Sequence, residues 1–283
     1  MINLLVTGSN GQLGQCLKQQ LHNAGDISCY FATKKDLDIT NEQALGDFFG
    51  EHPFDYCINT AAYTNVEKAE SEQKEAFLVN AEGAYSLAKA CKKHNVVLLH
   101  MSTDYVFDGI AKTPYQEQDS TNPVNVYGAS KLKGEQHIGD TWNKHFIIRT
   151  SWLYSQYGHN FLNSMLKFAK QKKPLTITTQ QKGTPTNAND VAQMLVTIIK
   201  TGNARYGVYH FSNQGEATWY DFATAIFKAT GEIDTINLAK TKHYATFAKR
   251  PAYSVLNCNK LKDTLGITYR NWEDSLKQII NSK

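Results

Sequence analysis

No stretch of about 18 consecutive apolar residues occurs in the chain, which excludes a bilayer-spanning helix. The opening Met1-Ile-Asn-Leu-Leu-Val-Thr-Gly has no basic segment ahead of its short apolar run, so a secretory signal is not expected. Cys-x-x-Cys pairs are absent too. The five cysteines, Cys16, Cys29, Cys57, Cys91 and Cys258, are an odd number, which argues against a disulfide framework and for a reducing, cytoplasmic setting. The nine histidines never fall at the i, i+4 spacing of a helical zinc site and none accompanies a cysteine cluster, so no metal is expected. Excess charge of one sign is also lacking: 30 basic and 26 acidic residues leave a net charge of +4. The densest basic stretch, Lys170, Lys172 and Lys173, reads as a solvated helix face and not as a nucleic-acid footprint.

What is present is a chain of 283 residues, 41% hydrophobic and 20% charged, long enough to bury one large core or two modest ones. Residues 2–7 read as a buried strand running into Gly8, and Gln12 to Leu21 has helical composition. A strand follows at Ile27 to Ala32, a helix at Asn41 to Glu51 with Thr40 or Asn41 as its N-cap, and a third strand at Tyr56 to Thr60. A long helix is expected over residues 72–93. It leads into Val96-Val-Leu-Leu-His-Met-Ser, a continuous apolar run of the kind buried on both faces of a parallel sheet. A helix at Tyr127 to Thr141 and a strand at Phe146 to Thr150 continue the alternation.

Strands alternating with helices point to the α/β class, a doubly wound parallel sheet of Rossmann type. Beyond Trp152 the pattern is less regular, broken by Pro174, Pro185 and Pro251. We read residues 1–151 as a dinucleotide-binding domain and 152–283 as mainly a smaller substrate-binding lobe, interleaved with the sheet.

Thr7-Gly8-Ser9-Asn10-Gly11-Gln12-Leu13-Gly14 places a G-x-x-G-x-x-G loop between the first strand and first helix. Glycines there permit a tight turn and close approach to a pyrophosphate, and the helix N-terminus supplies N–H donors. Gly8, Asn10, Gly11, Gln12 and Leu13 are the cofactor candidates; a glycine-rich turn without a ligand is the alternative. A carboxylate at the end of the second strand would bind both ribose hydroxyls and repel a 2′-phosphate. This chain reads Ala32-Thr33-Lys34-Lys35 with no acid before Asp36, so NADPH is expected ahead of NADH, which stays possible. Thr33 and Lys34 would meet the phosphate; Asp38, beside Ile39, would face the adenine or cap the next helix.

Tyr127-Gly-Ala-Ser-Lys131 puts a phenol and an ammonium on one helical face. A phenol with a pKa of about 10 is a poor proton donor at neutral pH, and a nearby cation is expected to lower it. Lys131 would also reach the nicotinamide ribose. Tyr-x-x-x-Lys arises by chance in a chain with 15 tyrosines, but this copy follows Thr103, at the carboxyl end of a parallel strand where such sheets bind ligands. The Thr103 hydroxyl would hold the substrate oxygen alongside Tyr127.

With these segments stand Asn59-Thr-Ala-Ala-Tyr-Thr-Asn-Val-Glu-Lys-Ala-Glu70, Ser102-Thr-Asp-Tyr-Val-Phe-Asp-Gly109, Arg149-Thr-Ser-Trp-Leu-Tyr154, Gly183-Thr-Pro-Thr186, Tyr209-His-Phe-Ser-Asn-Gln-Gly215 and Arg250-Pro-Ala-Tyr-Ser254. Together they resemble the extended short-chain dehydrogenase/reductase superfamily, and within it the dTDP-4-dehydrorhamnose reductases, over nearly the whole length. The resemblance implies reduction of the 4-keto group of dTDP-4-dehydro-L-rhamnose to dTDP-L-rhamnose. It implies that Thr103 and Tyr127 hold and protonate the C4 oxygen while Lys131 orients the cofactor. It also implies that Ala61, Ala62 and Tyr63 line the cofactor cleft with Asn80 near it, and that Asp104, Tyr105 and Trp152 lie on the substrate side. Arg250 becomes a candidate for the nucleotide portion. Core packing for Trp152 and a surface salt bridge for Arg250 are the alternatives.

Some members of the family are thought to dimerise through magnesium held by glutamates, one of them just after the glycine loop; Gln15-Cys16 stands there in this chain, which points to a monomer or weak homodimer. A sugar-nucleotide epimerase or dehydratase would share fold and Tyr/Lys pair. Dehydratases, however, resemble one another in an Asp-Glu pair where this chain has Asp104-Tyr105. A non-catalytic subunit similar to the β subunit of methionine adenosyltransferase is the alternative of another class.

Overall fold

The computed structural model describes residues 1–22, 24–242 and 244–281. In the first half, β1 (Ile2–Thr7), α1 (Gln12–Leu21), β2 (Ile27–Ala32), α2 (Glu42–Glu51) and β3 (Tyr56–Asn59) follow one another. Asn41 is the cap of α2, its side chain accepting from Ala44 N at 3.0 Å. Next come α3 (Val66–Ala69), α4 (Gln73–Phe77), a π-helical turn (Leu78–Glu82) and α5 (Gly83–Lys93). The single helix expected over residues 72–93 is therefore interrupted. The wider turn carries Asn80 inward, where tertiary hydrogen bonds hold it. β4 (Val97–Thr103), a 3₁₀ turn (Asp104–Val106), α6 (Val126–Thr141) and β5 (His145–Thr150) complete this half.

The second half runs β6 (Leu153–Tyr154), α7 (Phe161–Lys170), β7 (Leu175–Thr178), β8 (Lys182–Gly183), β9 (Thr186–Asn187), α8 (Ala188–Thr201) and β10 (Gly207–His210). It ends with β11 (Ala217–Thr218), α9 (Trp219–Ala229), β12 (Leu238–Thr241), α10 (Asn259–Leu265) and α11 (Trp272–Asn281).

Six strands form one sheet in the order β10-β5-β4-β3-β1-β2. All its pairings are parallel, with Leu4 of β1 opposite Cys29 on one side and Tyr56 on the other. Strand order reverses at β1, so a crevice opens beyond the carboxyl ends of β1 and β3. Alternation along β1 sends Leu4 and Val6 to α1 and α8, against Leu13, Leu17, Leu195 and Ile198. Leu5 faces the other way, among Leu45, Phe49, Leu87 and Cys91. Each such fully buried leucine stabilises the fold by about 1.5–3 kcal/mol.

The second half is woven into this layer, since α8 covers a sheet face and β10 is the outermost strand. Its remainder has its own core, where Tyr154, Leu162 and Met165 meet Phe222, Ile226, Phe227, Trp272 and Leu276. Among the described residues no helix is long and apolar enough to cross a membrane.

Candidate active site

A cleft of about 1070 Å³ lies at the carboxyl ends of β1, β3 and β4, walled on its far side by the second half of the chain. Gly8, with φ of +66°, turns the chain out of β1, and a Cβ there would come within 2.5 Å of Ala61 N. Only glycine lets the two strand ends close in this way. Gly11 caps α1 without any side-chain hydrogen bond, whereas Asn41, Asn125, Asn160, Asn187 and Thr218 cap α2, α6, α7, α8 and α9 through their side chains. The first-turn N–H groups of α1 thus keep their donors for an anion, and the residues present fit a dinucleotide pyrophosphate.

Gly8, Asn10, Gly11, Gln12 and Leu13 all line the cleft. The Gln12 amide also ties the loop to the second half, donating to Leu153 O at 3.3 Å and accepting from Ser155 Oγ at 3.4 Å. Gln15 Nε2 donates to Asn10 O at 3.0 Å and so braces the loop from behind.

At the end of β2 both acids turn back onto their own loop. Asp36 Oδ2 accepts from Thr33 N at 2.8 Å and from Thr33 Oγ1 at 2.7 Å. Asp38 Oδ1 accepts from Thr40 N at 3.0 Å and from Thr40 Oγ1 at 2.8 Å. Asp38 therefore shapes the loop, while Asn41 caps the helix. Lys34 is 72% exposed, with only long contacts of 3.7 Å to Asp38 and 4.0 Å to Glu75. Its ammonium remains available to a phosphate. Thr33, Lys34, Asp38 and Ile39 line this end of the cleft.

Ala61, Ala62 and Tyr63 line the wall after β3. Asn80 does not reach the cleft: it is 1% exposed, accepting from Tyr63 N at 2.8 Å and donating to Tyr63 O and to Ser130 Oγ, each at 3.0 Å. It shapes the wall and ties it to α6.

Thr103 ends β4, Tyr127 lies in the first turn of α6 and Lys131 one turn further on, and all three line the cleft. The nitrogen of the expected lysine is already engaged at the end of β4. Lys131 Nζ donates to Met101 O at 2.7 Å and lies 3.1 Å from His100 Nε2. Burial lowers its pKa to about 8, against the opposing charge of Glu135. Tyr127 is correspondingly not acidified: burial raises its pKa above the ordinary value, and its hydrogen bond with Thr103 offsets only part of this. Lys131 is not among the groups that shift the phenol in the ligand-free protein, so the expected acidification is not seen there.

Thr103 Oγ1 donates to Asp104 Oδ1 at 3.0 Å and accepts from Tyr105 N at 3.2 Å. Asp104 is 2% exposed, and burial pushes it up to about 7 despite hydrogen bonds with Ser254 and Thr103. Among the described residues its Oδ2 has no hydrogen-bond partner. Tyr105 packs edge-on against Tyr127, ring centroids 5.8 Å apart, and its hydroxyl accepts from Arg250 at 3.4 Å. Arg250 donates to Glu67 Oε1 at 2.6 Å, and Glu67 also accepts from Phe247 N and Ala248 N. Arg250 therefore lines the cleft and is paired at once.

Trp152 also lines the cleft, with φ of +44°. Trp219, His159 and Gly158 share this wall, and the sequence reading did not single them out. One signal for Trp219 was present: Thr218 and Asp221 form a capping box that marks the start of α9 immediately before it.

The family model described as RmlD substrate binding domain matches residues 2–283. A dTDP-4-dehydrorhamnose reductase of Aggregatibacter actinomycetemcomitans is 39% identical, over 99% of this chain and 98% of that protein. Among solved structures, a dTDP-4-dehydrorhamnose reductase of Clostridium acetobutylicum is 38% identical with a TM-score of 0.94, covering 99% of each chain. One from Bacillus anthracis, solved in complex with NADP, is 36% identical with a TM-score of 0.96, covering 100% of each chain. The chain belongs to the dTDP-4-dehydrorhamnose reductase family of oxidoreductases.

Proposed function

We propose that the protein uses NADPH to reduce the 4-keto group of dTDP-4-dehydro-L-rhamnose, giving dTDP-L-rhamnose. The observation that carries this reading is the meeting of Thr103, Tyr127 and Lys131 in the same cleft as the glycine loop. When bound, NADPH supplies the hydride. Gly8, Asn10, Gly11, Gln12 and Leu13 hold its pyrophosphate, and Ala61, Ala62 and Tyr63 form the facing wall. Thr33, Lys34, Asp38 and Ile39 hold the adenosine end, with Lys34 opposite the 2′-phosphate.

Thr103 and Tyr127 hydrogen-bond the C4 oxygen, and Tyr127 passes its proton there as negative charge develops. Lys131 orients the cofactor ribose, and its ammonium, turned to the phenol, favours the phenolate. Asp104 and Tyr105 hold sugar hydroxyls, Trp152 covers the sugar and Arg250 meets the nucleotide portion. Elimination is poorly served, because Tyr105 stands where a second carboxyl group would be needed.

Residues 1–151 form the cofactor domain in this reading and 152–283 mainly the substrate lobe. A cytoplasmic site suits the free cysteines, four of the five buried. A monomer or weak homodimer suits Gln15, which is neutral and occupied with Asn10, and Cys16, which is buried.

The test is NADPH consumption across several 4-keto nucleotide sugars. Oxidation with the thymidine 4-keto-6-deoxyhexose is expected, and Tyr127→Phe should slow it by about 10²–10⁴-fold with NADPH affinity retained. NADPH binding without turnover on any of these sugars would leave a binding subunit, and undiminished rates in Tyr127→Phe would defeat the mechanism.

A further inference from the structure

Behind the cleft a line of buried hydrogen bonds joins the end of β1 to Lys131. Thr7 Oγ1 donates to Asn59 Oδ1 at 2.7 Å, Asn59 Nδ2 lies 3.0 Å from His100 Nδ1, and His100 Nε2 lies 3.1 Å from Lys131 Nζ. Thr7 is fully buried, Asn59 and His100 are 1% exposed and Lys131 is 2% exposed, so bulk solvent does not reach the line.

Donor and acceptor rules then fix the protons. Asn59 Oδ1 also accepts from the backbone N–H of Ala61 at 3.1 Å, and a backbone N–H can only donate. The amide therefore cannot flip without setting its Nδ2 against the Ala61 N–H, so Nδ2 donates to His100 Nδ1. That nitrogen is consequently the bare one, and the ring proton of the neutral imidazole sits on Nε2, pointing at Lys131. Lys131 already donates to Met101 O, and only a neutral amine has the lone pair to accept from Nε2–H. An ammonium would set donor against donor.

We infer that His100 is a positioning residue whose ring, held by Asn59 with its proton on Nε2, favours the neutral amine of Lys131 in the ligand-free protein. The full charge becomes available when Lys131 leaves His100. This deepens the role proposed above for Lys131 and rests on that reading for its catalytic consequence.

The groups around the lysine agree. On its own helix it has Tyr127 and Glu135, from β4 His100, and beyond the ring His145 of β5. Glu135, the one acid among them, is committed to Arg149 at 2.7 Å and to Ser102. Burial holds His100 far below its ordinary pKa, as a neutral ring requires.

The experiment is histidine-selective nitrogen-15 labelling of the full chain, read by NMR without substrate, beside the pH profile of kcat/KM for NADPH. The wild-type His100 ring should stay neutral with its proton on Nε2 from about pH 6 to about pH 9. Asn59→Asp accepts from Nδ1–H, moves the proton to Nδ1 and should shift the alkaline limb up by about one pH unit. His100→Gln, whose amide still offers an N–H to Lys131, should keep the wild-type limb; a purely structural role would lower the stability of both variants and move neither limb. A wild-type proton on Nδ1, a ring that titrates near its ordinary value, or an unmoved proton in a folded Asn59→Asp overturns the inference. Should Asn59→Asp not fold, the wild-type spectrum decides. Because the spectrum needs no turnover, a protein that reduces no 4-keto sugar would defeat the proposed function and leave this inference standing.

Discussion

Trp152 and Trp219 lie face to face, ring centroids 3.7 Å apart and 5° from parallel. Trp152 opens the second half of the chain and Trp219 opens α9, and the indole Nε1 of Trp219 is fixed by donation to Gln181 at 2.8 Å. Beneath the stack lies Gly183, where a Cβ would come within 2.5 Å of Trp152 Cε2. Because the same ring is stacked on Trp219, it cannot shift freely without disturbing the stack. Gly183→Ala should therefore displace Trp152 and weaken sugar-nucleotide binding about tenfold, or about 1.4 kcal/mol, leaving NADPH affinity as it was. Titration calorimetry with each ligand checks this; an equal loss for both would mean general damage instead.

The ends of β1, α1 and β2 coincide with the sequence reading because local chemistry decides them: an apolar run stops at Gly8, and another resumes after Gly25-Asp26. The π turn around Asn80 was hidden, since what favours it is a set of hydrogen bonds to Tyr63 and Ser130, both remote in the chain. Trp219 was missed for the same reason, its role as a cleft wall depending on Trp152 across the fold. Tyr-x-x-x-Lys placed both side chains on the correct helical face. Spacing says nothing of rotamer, however, and Met101 O and His100 decide where Lys131 points.

Lys34 tests the cofactor end of the cleft. With Asp36 and Asp38 turned onto Thr33 and Thr40, its ammonium has only long carboxylate contacts among the described residues, to Asp38 at 3.7 Å and Glu75 at 4.0 Å. Lys34→Ala should lower kcat/KM for NADPH about tenfold, a loss of about 1.4 kcal/mol, with NADH use unchanged. The NADPH advantage of the wild type should also shrink as salt rises, because this exposed charge is screened. Parallel loss with both cofactors would remove the lysine from phosphate recognition.

Asp104 makes stability depend on pH with a definite sign. Its folded pKa, pushed up by burial to about 7, lies above the unfolded value of 3.8. The folded state then binds the proton more tightly, so this contribution is complete below the unfolded value and is lost as pH rises through the folded one. The gap corresponds to about 4 kcal/mol. Asp104→Asn, neutral at every pH, should melt close to wild type near pH 4 and progressively above it toward pH 8. Melting curves that stay parallel over this range would show that Asp104 is ionised in the fold throughout.

Arg149 and Glu135 set the frame that holds the three catalytic candidates together. Arg149 donates from its NH2 group to Glu135 Oε2 at 2.7 Å and from Nε to Oε1 at 3.0 Å, with side chains only 6% and 5% exposed. Glu135 stands one turn beyond Lys131 and also accepts from Ser102, the neighbour of Thr103, so the pair locks α6 to the ends of β4 and β5. The guanidinium lies over the Phe107 ring at 5.1 Å and near His210 Nε2 at 3.5 Å. Burial first, and then the Arg149 charge, lower His210 to about 3, so the imidazole stays neutral and adds no second cation. Taking away one partner strands a buried charge, and Arg149→Met should cost about 3–5 kcal/mol in denaturant unfolding. Replacing both, with Arg149→Met and Glu135→Leu together, should restore much of that stability, because the stranded charge and not the lost attraction dominates the single variant. The double variant should nevertheless turn over slowly, since Ser102 loses its carboxylate partner and the clamp between α6 and the end of β4 beside Thr103 is weakened. Full activity in a restored double variant would show that the pair serves stability alone.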